Sequence, residues 1–384
     1  MSEVVQLDAA EKQLFRDNVY KFLENEVEPY YEKWEKDEIF PRELWNKLGE
    51  NGFLCVDVPE EYGGFGASFE LSAIIIEEIS RLGYGALASS VSVHSDIVAP
   101  YIFNLGTEEQ KEAWLPKLVS GEAVGAIAMT EPAVGSDLAG MRTQAVKEGE
   151  DFLISGQKTF ITNGQHCDVI ITATKTDLAA GVKGMTLFLV DCSLPGFNRG
   201  RNLEKMGLHC GDTSELFFED VRVGTEQILG GEGKGFFCLM NELPRERLIL
   251  GVGSVAAAQG MLMRTVDYVI ERKAFGQSVS KFQNTRFKLA ELKTQIELNL
   301  ALVEKYTGKF VAGELSTEEA SICKLASSEM QGVVADACVQ LFGGYGYMLE
   351  YPISRNYVDA RIQRIYGGTS EIMKEIIARS LVGR

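Results

Sequence analysis

Gly156-Gln-Lys-Thr-Phe-Ile-Thr-Asn-Gly164 is the stretch that decides the fold. It reads as a strand running into a turn, with Phe160 and Thr162 on one face, because side chains two apart on a strand point the same way. Short β-rich runs surround it at Phe152 to Ile154, Val169 to Ala173, Thr186 to Val190 and Leu216 to Phe218, separated by Gly and Asp turns. This texture begins near Gly121 and ends near Leu229. Outside it the period is helical. Asp8 followed by Glu11 is a capping-box pattern ahead of Phe15, Val19, Phe22 and Leu23. Thr107 and Gln110 repeat the pattern ahead of Trp114 and Leu118. Leu289, Leu292, Ile296, Leu300 and Val303 mark one long amphipathic face. The expected organisation is a helical domain over residues 1–120, a β domain over 121–230 and a second helical domain over 231–384. Regular βα alternation is missing, which argues against a doubly wound sheet, and no internal repeat or low-complexity linker interrupts the chain.

The 384 residues suit two or three domains. With 38 basic and 55 acidic side chains the net charge is −17. Such a surface repels polyphosphates, so no nucleic-acid partner and no charge-driven membrane attachment are expected. The apolar run from Leu248 to Met263 holds several glycines and reads as too short to span a bilayer, so no membrane insertion is expected. Seven scattered cysteines, an odd number without a Cys-x-x-Cys, fit a reducing compartment rather than a disulfide framework. His166-Cys167 and His209-Cys210 are adjacent pairs whose side chains diverge on a strand, so no metal site is expected. Met1-Ser2-Glu3-Val4 carries no basic, apolar targeting segment. A cytoplasmic location is the expectation, with the mitochondrial matrix the alternative if a transit peptide has been removed. Glycine is the outlier, 39 residues against nine prolines.

Two glycine motifs imitate nucleotide sites. Gly251-Val-Gly253-Ser-Val-Ala256 matches the dinucleotide fingerprint, with Glu271 twenty residues on. It lies in a stretch that reads as a helix, so close helix packing is the favoured reading; a nicotinamide-dependent oxidoreductase is the rival from a different class. Gly230-Gly-Glu-Gly-Lys-Gly235 resembles a phosphate loop, but Gly235 stands where Ser or Thr would bind magnesium.

Five segments carry chemistry. Ala128-Met-Thr-Glu-Pro-Ala-Val-Gly-Ser-Asp137 is a hydroxyl-bearing loop at the start of the β region, and 156–164 is the strand and turn already quoted. Arg272-Lys-Ala-Phe-Gly-Gln277, followed by Gln283, gathers a guanidinium, a ring and an amide. Gln340-Leu-Phe-Gly-Gly-Tyr-Gly-Tyr347 lets backbone approach a bulky ligand, since glycine has no Cβ. Ile365-Tyr-Gly-Gly-Thr-Ser-Glu-Ile372 is a glycine turn opening a helix, whose free N–H groups suit an anion or a developing oxyanion. In this order and spacing, from Asp8 to Arg379, the segments resemble the acyl-CoA dehydrogenase family of flavoproteins, most like its long-chain branch.

The resemblance implies a mainly α fold with a middle β domain: an α-helical N-terminal domain, a β-barrel-like middle domain and a C-terminal four-helix bundle, assembled as a homotetramer. It implies FAD, contacted by Met129, Thr130, Gly135 and Ser136, walled by Phe160 and Thr162, and completed by Gln340, Gly344, Thr369 and Glu371. Arg272, Phe275 and Gln283 would reach the cofactor of a neighbouring subunit. Ser136, Arg247, Tyr366 and Gly367 would face the substrate, an acyl-CoA.

The implied reaction removes the α-proton of a thioester with a carboxylate while the β-hydrogen leaves as hydride to the flavin. Such a base works best with its pKa raised by burial. Many relatives carry it as a glutamate in the last motif, where this chain has Gly367. The substitute is Glu246 in Leu243-Pro-Arg-Glu-Arg-Leu248, the position used in the long-chain and isovaleryl branches; Glu371 is the weaker rival. Gly367 N–H and a flavin ribityl hydroxyl would hold the thioester carbonyl. Arg247 would serve the CoA end or orient the acyl site. A fatty acyl-CoA of medium to long straight chain is the expected substrate, with branched chains admitted by the space at Gly367, trans-2-enoyl-CoA the product and an electron-transferring flavoprotein the electron acceptor. An acyl-CoA oxidase, a short branched-chain acyl-CoA dehydrogenase and a non-catalytic acyl-CoA or flavin-binding protein stay open as alternatives.

Overall fold

A computed structural model describes residues 7–383. The terminal residues read above for a targeting segment, 1–4, lie outside the described residues. The N-terminal third is helical: α1 (Ala9–Glu26), α2 (Glu28–Asp37), α3 (Glu43–Glu50), α4 (Phe69–Arg81), α5 (Gly85–Ser92), α6 (Ala99–Leu105) and α7 (Glu108–Ser120). Both capping boxes form. Asp8 accepts from the N–H groups of Ala10 and Glu11, and Glu11 accepts from Asp8 N–H at 2.8 Å. Thr107 accepts from Gln110 N–H at 3.3 Å while Gln110 accepts from Thr107 N–H at 3.0 Å. Each box satisfies two otherwise free donors, which fixes where its helix begins. A π-helical segment, Val93–Val98, joins α5 to α6.

The middle region is a sheet of β1 (Gly125–Ala128), β2 (Gln144–Glu148), β3 (Asp151–Thr162), β4 (Val169–Lys175), β5 (Met185–Asp191), β6 (Phe197–Asn202), β7 (Thr213–Val223) and β8 (Ile228–Leu229). Its order is β6-β7-β3-β2-β4-β5-β8, with β1 parallel to β4. The sheet is buried on two faces. In β4, Val169, Ile171 and Ala173 join the main core, whereas Ile170 joins a second core with Phe152, Phe188 and Phe218. Leu187 and Leu189 of β5 divide from Phe188 and Val190 in the same way. Two-sided burial explains why these strands read as unbroken apolar runs rather than as alternating ones. The runs at 152–154 and 156–162 are one strand, because β7 pairs with both across two irregularities.

The C-terminal part holds α8 (Gly235–Glu271), the short β9 (Lys273–Ala274) and β10 (Gln277–Ser278), α9 (Gln283–Val311), α10 (Thr317–Phe342), α11 (Pro352–Ile362) and α12 (Ser370–Val382). The predicted face of α9 turns inward through Leu292, Ile296 and Val303. At 37 residues α8 is the central helix of the bundle. The run from Leu248 to Met263 does not stand alone, as its composition suggested: it belongs to a helix with an 18-residue window of mean hydropathy 1.3, long and apolar enough to cross a membrane, of which 67% is buried inside the protein. The dinucleotide-like glycines lie inside α8. A Cβ on Gly251 would stand 2.6 Å from Cys323 Sγ, and one on Gly253 3.2 Å from Ser80 Oγ. These glycines let α10 and α4 approach α8, so the nicotinamide reading of Gly251 to Ala256 is overturned.

Candidate active site

Glu246 sits on α8 within a buried cluster. Its carboxyl is 4% exposed and accepts a hydrogen bond from the Tyr101 hydroxyl at 2.9 Å. Burial pushes its pKa up to about 7; the Tyr101 bond and the Arg247 charge pull the other way without cancelling that effect. A carboxyl poised near neutrality can take a proton and release it again. Glu371 contrasts with it. It lies exposed in the first turn of α12, where a backbone N–H and the Thr369 side chain hold its pKa down.

One helical turn beyond Glu246, on the same face of α8, Leu250 meets the glycine turn. A Cβ on Gly367 would stand 2.5 Å from Leu250 Cδ1, and Gly367 has φ +61°. Gly368 follows at φ +93°, its carbonyl accepting from Lys324 Nζ at 2.7 Å. Position 367 is therefore closed to a side chain here by Leu250 and by the left-handed backbone, both of which suit glycine. Thr369 then caps α12, its hydroxyl accepting from Ile372 N–H at 3.3 Å. Arg247 is 3% exposed and donates to Ser321 Oγ at 3.3 Å, and its Nη2 is the guanidinium atom nearest the Gly368 position. That places it under the glycine turn and away from solvent. Tyr366 is half-buried and lines a small cavity of about 40 Å³ with Leu250, Gly253, Ala257 and Ser89.

The middle domain contributes a second cluster. Thr159 N–H donates to Thr130 O at 3.0 Å, and Lys158 Nζ reaches Met129 O at 3.3 Å, so the 128–137 loop lies against the end of β3. Lys158 is fully buried and pairs with Glu131 at 2.9 Å. Glu131 also accepts from the N–H groups of Arg142 and Thr143. Beside this hub Phe160 adopts φ +60° and is 67% exposed. A bulky residue in that region costs free energy, and a large exposed ring beside it is a second expense. Thr162 and Phe160 flank the buried Ile161, while Gly135 and Ser136 are exposed. These residues form one platform. It reaches the rest of the site through Asn163, which donates to Ser90 O of α5 at 3.0 Å.

A third group stands at the far end of α8. Arg272 stacks over the Tyr345 ring at 5.8 Å, Phe275 is 96% exposed at φ +49°, and Gln283 and Gln340 are exposed. No atom outside the chain neighbours lies within 4 Å of a Cβ built on Gly343 or Gly344. From Glu246 to Arg272 the helix rises about 39 Å. The structure thus separates the sequence-predicted residues into a group around Glu246 and Gly367 with the β3 platform nearby, and another around Arg272.

Three family models match the chain in order: the acyl-CoA dehydrogenase N-terminal domain over residues 9–122, the middle domain over 126–221 and the C-terminal domain over 233–382. The chain belongs to the acyl-CoA dehydrogenase family. It is 46% identical to the long-chain specific acyl-CoA dehydrogenase, mitochondrial, of Rattus norvegicus over 97% of this chain and 87% of that protein. The crystal structure of acyl-CoA dehydrogenase from Geobacillus kaustophilus superposes with a TM-score of 0.95 at 48% identity, covering 99% of this chain and 100% of the other. A glutaryl-CoA dehydrogenase from Mycobacterium smegmatis in complex with FADH2 matches at 30% identity and a TM-score of 0.92, over 98% and 96%. This acyl-CoA dehydrogenase is an oxidoreductase acting on CH–CH groups, and its cofactor is FAD. The residues present fit that group: an exposed ring in strained backbone at Phe160, a loop pinned beside it, and side-chain-free backbone at Gly343 and Gly344.

Sequence reasoning missed Tyr101, Lys158, Leu250 and the π segment. Lys158 lies inside the quoted 156–164 stretch and Leu250 inside the apolar run from Leu248, but each matters only through a partner elsewhere in the chain, which no local pattern shows.

Proposed function

We propose that this protein converts a medium- to long-chain acyl-CoA to its trans-2-enoyl-CoA, with Glu246 removing the α-proton and an electron-transferring flavoprotein receiving the electrons. The observation that carries the reading is the buried Glu246 carboxyl, raised to about 7, one turn along α8 from the residue that touches Gly367. When bound, FAD supplies the acceptor for the β-hydride. Thr130, Ser136, Phe160 and Thr162 would hold its ring system, and Arg272, Phe275, Gln283, Gln340 and Gly344 of a second copy its remainder. A homotetramer supplies that copy, and the exposed Phe275, Tyr347 and Leu349 are the apolar surface such an assembly covers. The N–H of Gly367 would donate to the thioester carbonyl as negative charge grows there. Glu246, buried and held by the Tyr101 hydroxyl, would then receive the proton.

The acyl chain would extend along α8 past Leu250 and Tyr366, and because the cavity there holds only about 40 Å³, side chains lining it would have to move aside to admit a medium or long chain. Leu250 fills the space beside Gly367, so a branch near the thioester would be admitted only if Leu250 rotates away. Anaerobic bleaching of the flavin across straight and branched acyl-CoAs tests the substrate. Glu246→Gln should keep FAD and ligand binding and lose bleaching; unchanged bleaching would show that another group is the base.

A further inference from the structure

Tyr101 is the only side chain that hydrogen-bonds Glu246 among the described residues, and the fold invests heavily in placing it. It is fully buried on α6, immediately after the π segment Val93–Val98. Single π turns inside helices shift the side chains that follow them onto a new face, and they concentrate at functional sites. Two ties lock this segment to α8. Arg245, directly before Glu246, donates through Nε to Asp96 O at 3.0 Å and pairs through Nη2 with Asp96 Oδ1 at 3.1 Å. Asp57 takes its other arm, and its guanidinium lies over the rings of Phe69 and Phe310 at 5.2 Å and 5.9 Å. Ser72 donates to Asp96. The second tie is the Tyr101–Glu246 bond itself.

We propose that Tyr101 is the positioning residue of the base: its phenol holds Glu246 Oε1 in place and stabilises the ionised carboxylate, leaving Oε2 to accept the α-proton. The inference rests on Glu246 being the base. The phenol keeps its own proton throughout, because burial and the neighbouring Glu246 charge push its pKa well up. It is therefore a permanent donor, and a donor favours the charged form of a carboxylate. The groups facing Glu246 are Tyr101 from α6, and Arg247 and Glu242 from α8. Lys324 of α10 lies beyond Arg247, Cys238 lies near the phenol, and the half-buried Tyr366 stands on the side of the glycine turn. Arg245 is already satisfied by Asp57 and Asp96. Tyr101 supplies the largest of the interactions that oppose burial at the carboxyl.

The test is the pH profile of anaerobic flavin reduction in FAD-loaded Tyr101→Phe, with a straight-chain acyl-CoA as substrate. The acid limb should move up by about one pH unit, so that reduction at pH 6 falls about tenfold and returns to near the parent rate at high pH. Site-specific 3-fluorotyrosine at position 101, a stronger donor of the same shape, should move the limb down. It also serves as the test if Tyr101→Phe does not fold. A limb that stays in place in either variant overturns the proposal, including a uniform loss of rate at every pH, which is what a purely structural tyrosine would give. Glu246→Gln separates the two levels. Loss of reduction at all pH values keeps Glu246 as the base whatever Tyr101 does, whereas parent-like reduction removes the base assignment and this inference with it.

Discussion

Gly367 and Leu250 form a pair whose energetics the structure specifies. Placing alanine at 367 puts a methyl 2.5 Å from Leu250 Cδ1, where about 3.5–4.0 Å is the ordinary separation. It also puts an L-residue at φ +61°, which costs roughly 1–2 kcal/mol. The opposing atom is the end of a flexible side chain, so the clash relaxes by rotation and adds about 1 kcal/mol, the low end for overpacking. Gly367→Ala is expected to lose about 2–3 kcal/mol in total. Leu250→Ala removes a half-buried side chain and should cost about 2 kcal/mol, the low end of its class. Combined, the two should lose less than their sum by about 1 kcal/mol, because the clash disappears while the backbone cost stays. Urea unfolding of the FAD-saturated protein, followed by flavin fluorescence, measures all three. Additivity within about 0.3 kcal/mol would mean that Leu250 does not occupy the space beside position 367, and the account of why this chain carries its carboxylate at Glu246 would fall with it.

Other outcomes follow from the buried charges and the exposed rings. Glu246 has its folded-state pKa raised from the ordinary 4.5 to about 7, so the stability due to its protonated form is complete below about pH 4.5 and is lost as pH rises through 7. Glu246→Gln escapes that loss and should be more stable than the parent by roughly 3 kcal/mol at pH 8, the two converging near pH 4.5; equal urea midpoints at pH 8 would contradict the burial argument. Lys158→Met alone strands the Glu131 carboxylate and should cost about 3–5 kcal/mol, whereas Lys158→Met with Glu131→Leu should recover much of that stability. The double variant should nevertheless retain less FAD after gel filtration, since the 129–131 backbone loses its Lys158 and Glu131 side-chain ties and keeps only backbone bonds such as Thr159 N–H to Thr130 O; full flavin content would argue against that role. Phe275→Asp should lower the assembly mass in sedimentation and weaken FAD retention together; a change in one without the other would separate the interface from the cofactor site.

Much of this protein was legible locally. Helix starts at Asp8 and Thr107 were readable because a capping box involves residues three apart. The inward face of α9 was readable from helical spacing, and the three-part order from the change of period near Gly121 and Leu229. Resemblance of five ordered segments named the family and singled out Glu246. Tertiary structure decided the rest. Whether β4 shows one buried face or two depends on a second core assembled from β3, β5 and β7, which no local pattern reveals. Gly251 looks the same in a dinucleotide loop and in a helix; only the approach of Cys323, 72 positions later, selects the helix. The sequence placed a carboxylate at 246 but not its pKa, because desolvation is a property of the surroundings, and the groups that act on it come from α6 as well as α8. Local rules fix periods and caps within a few residues, whereas burial and charge are settled by groups hundreds of positions apart.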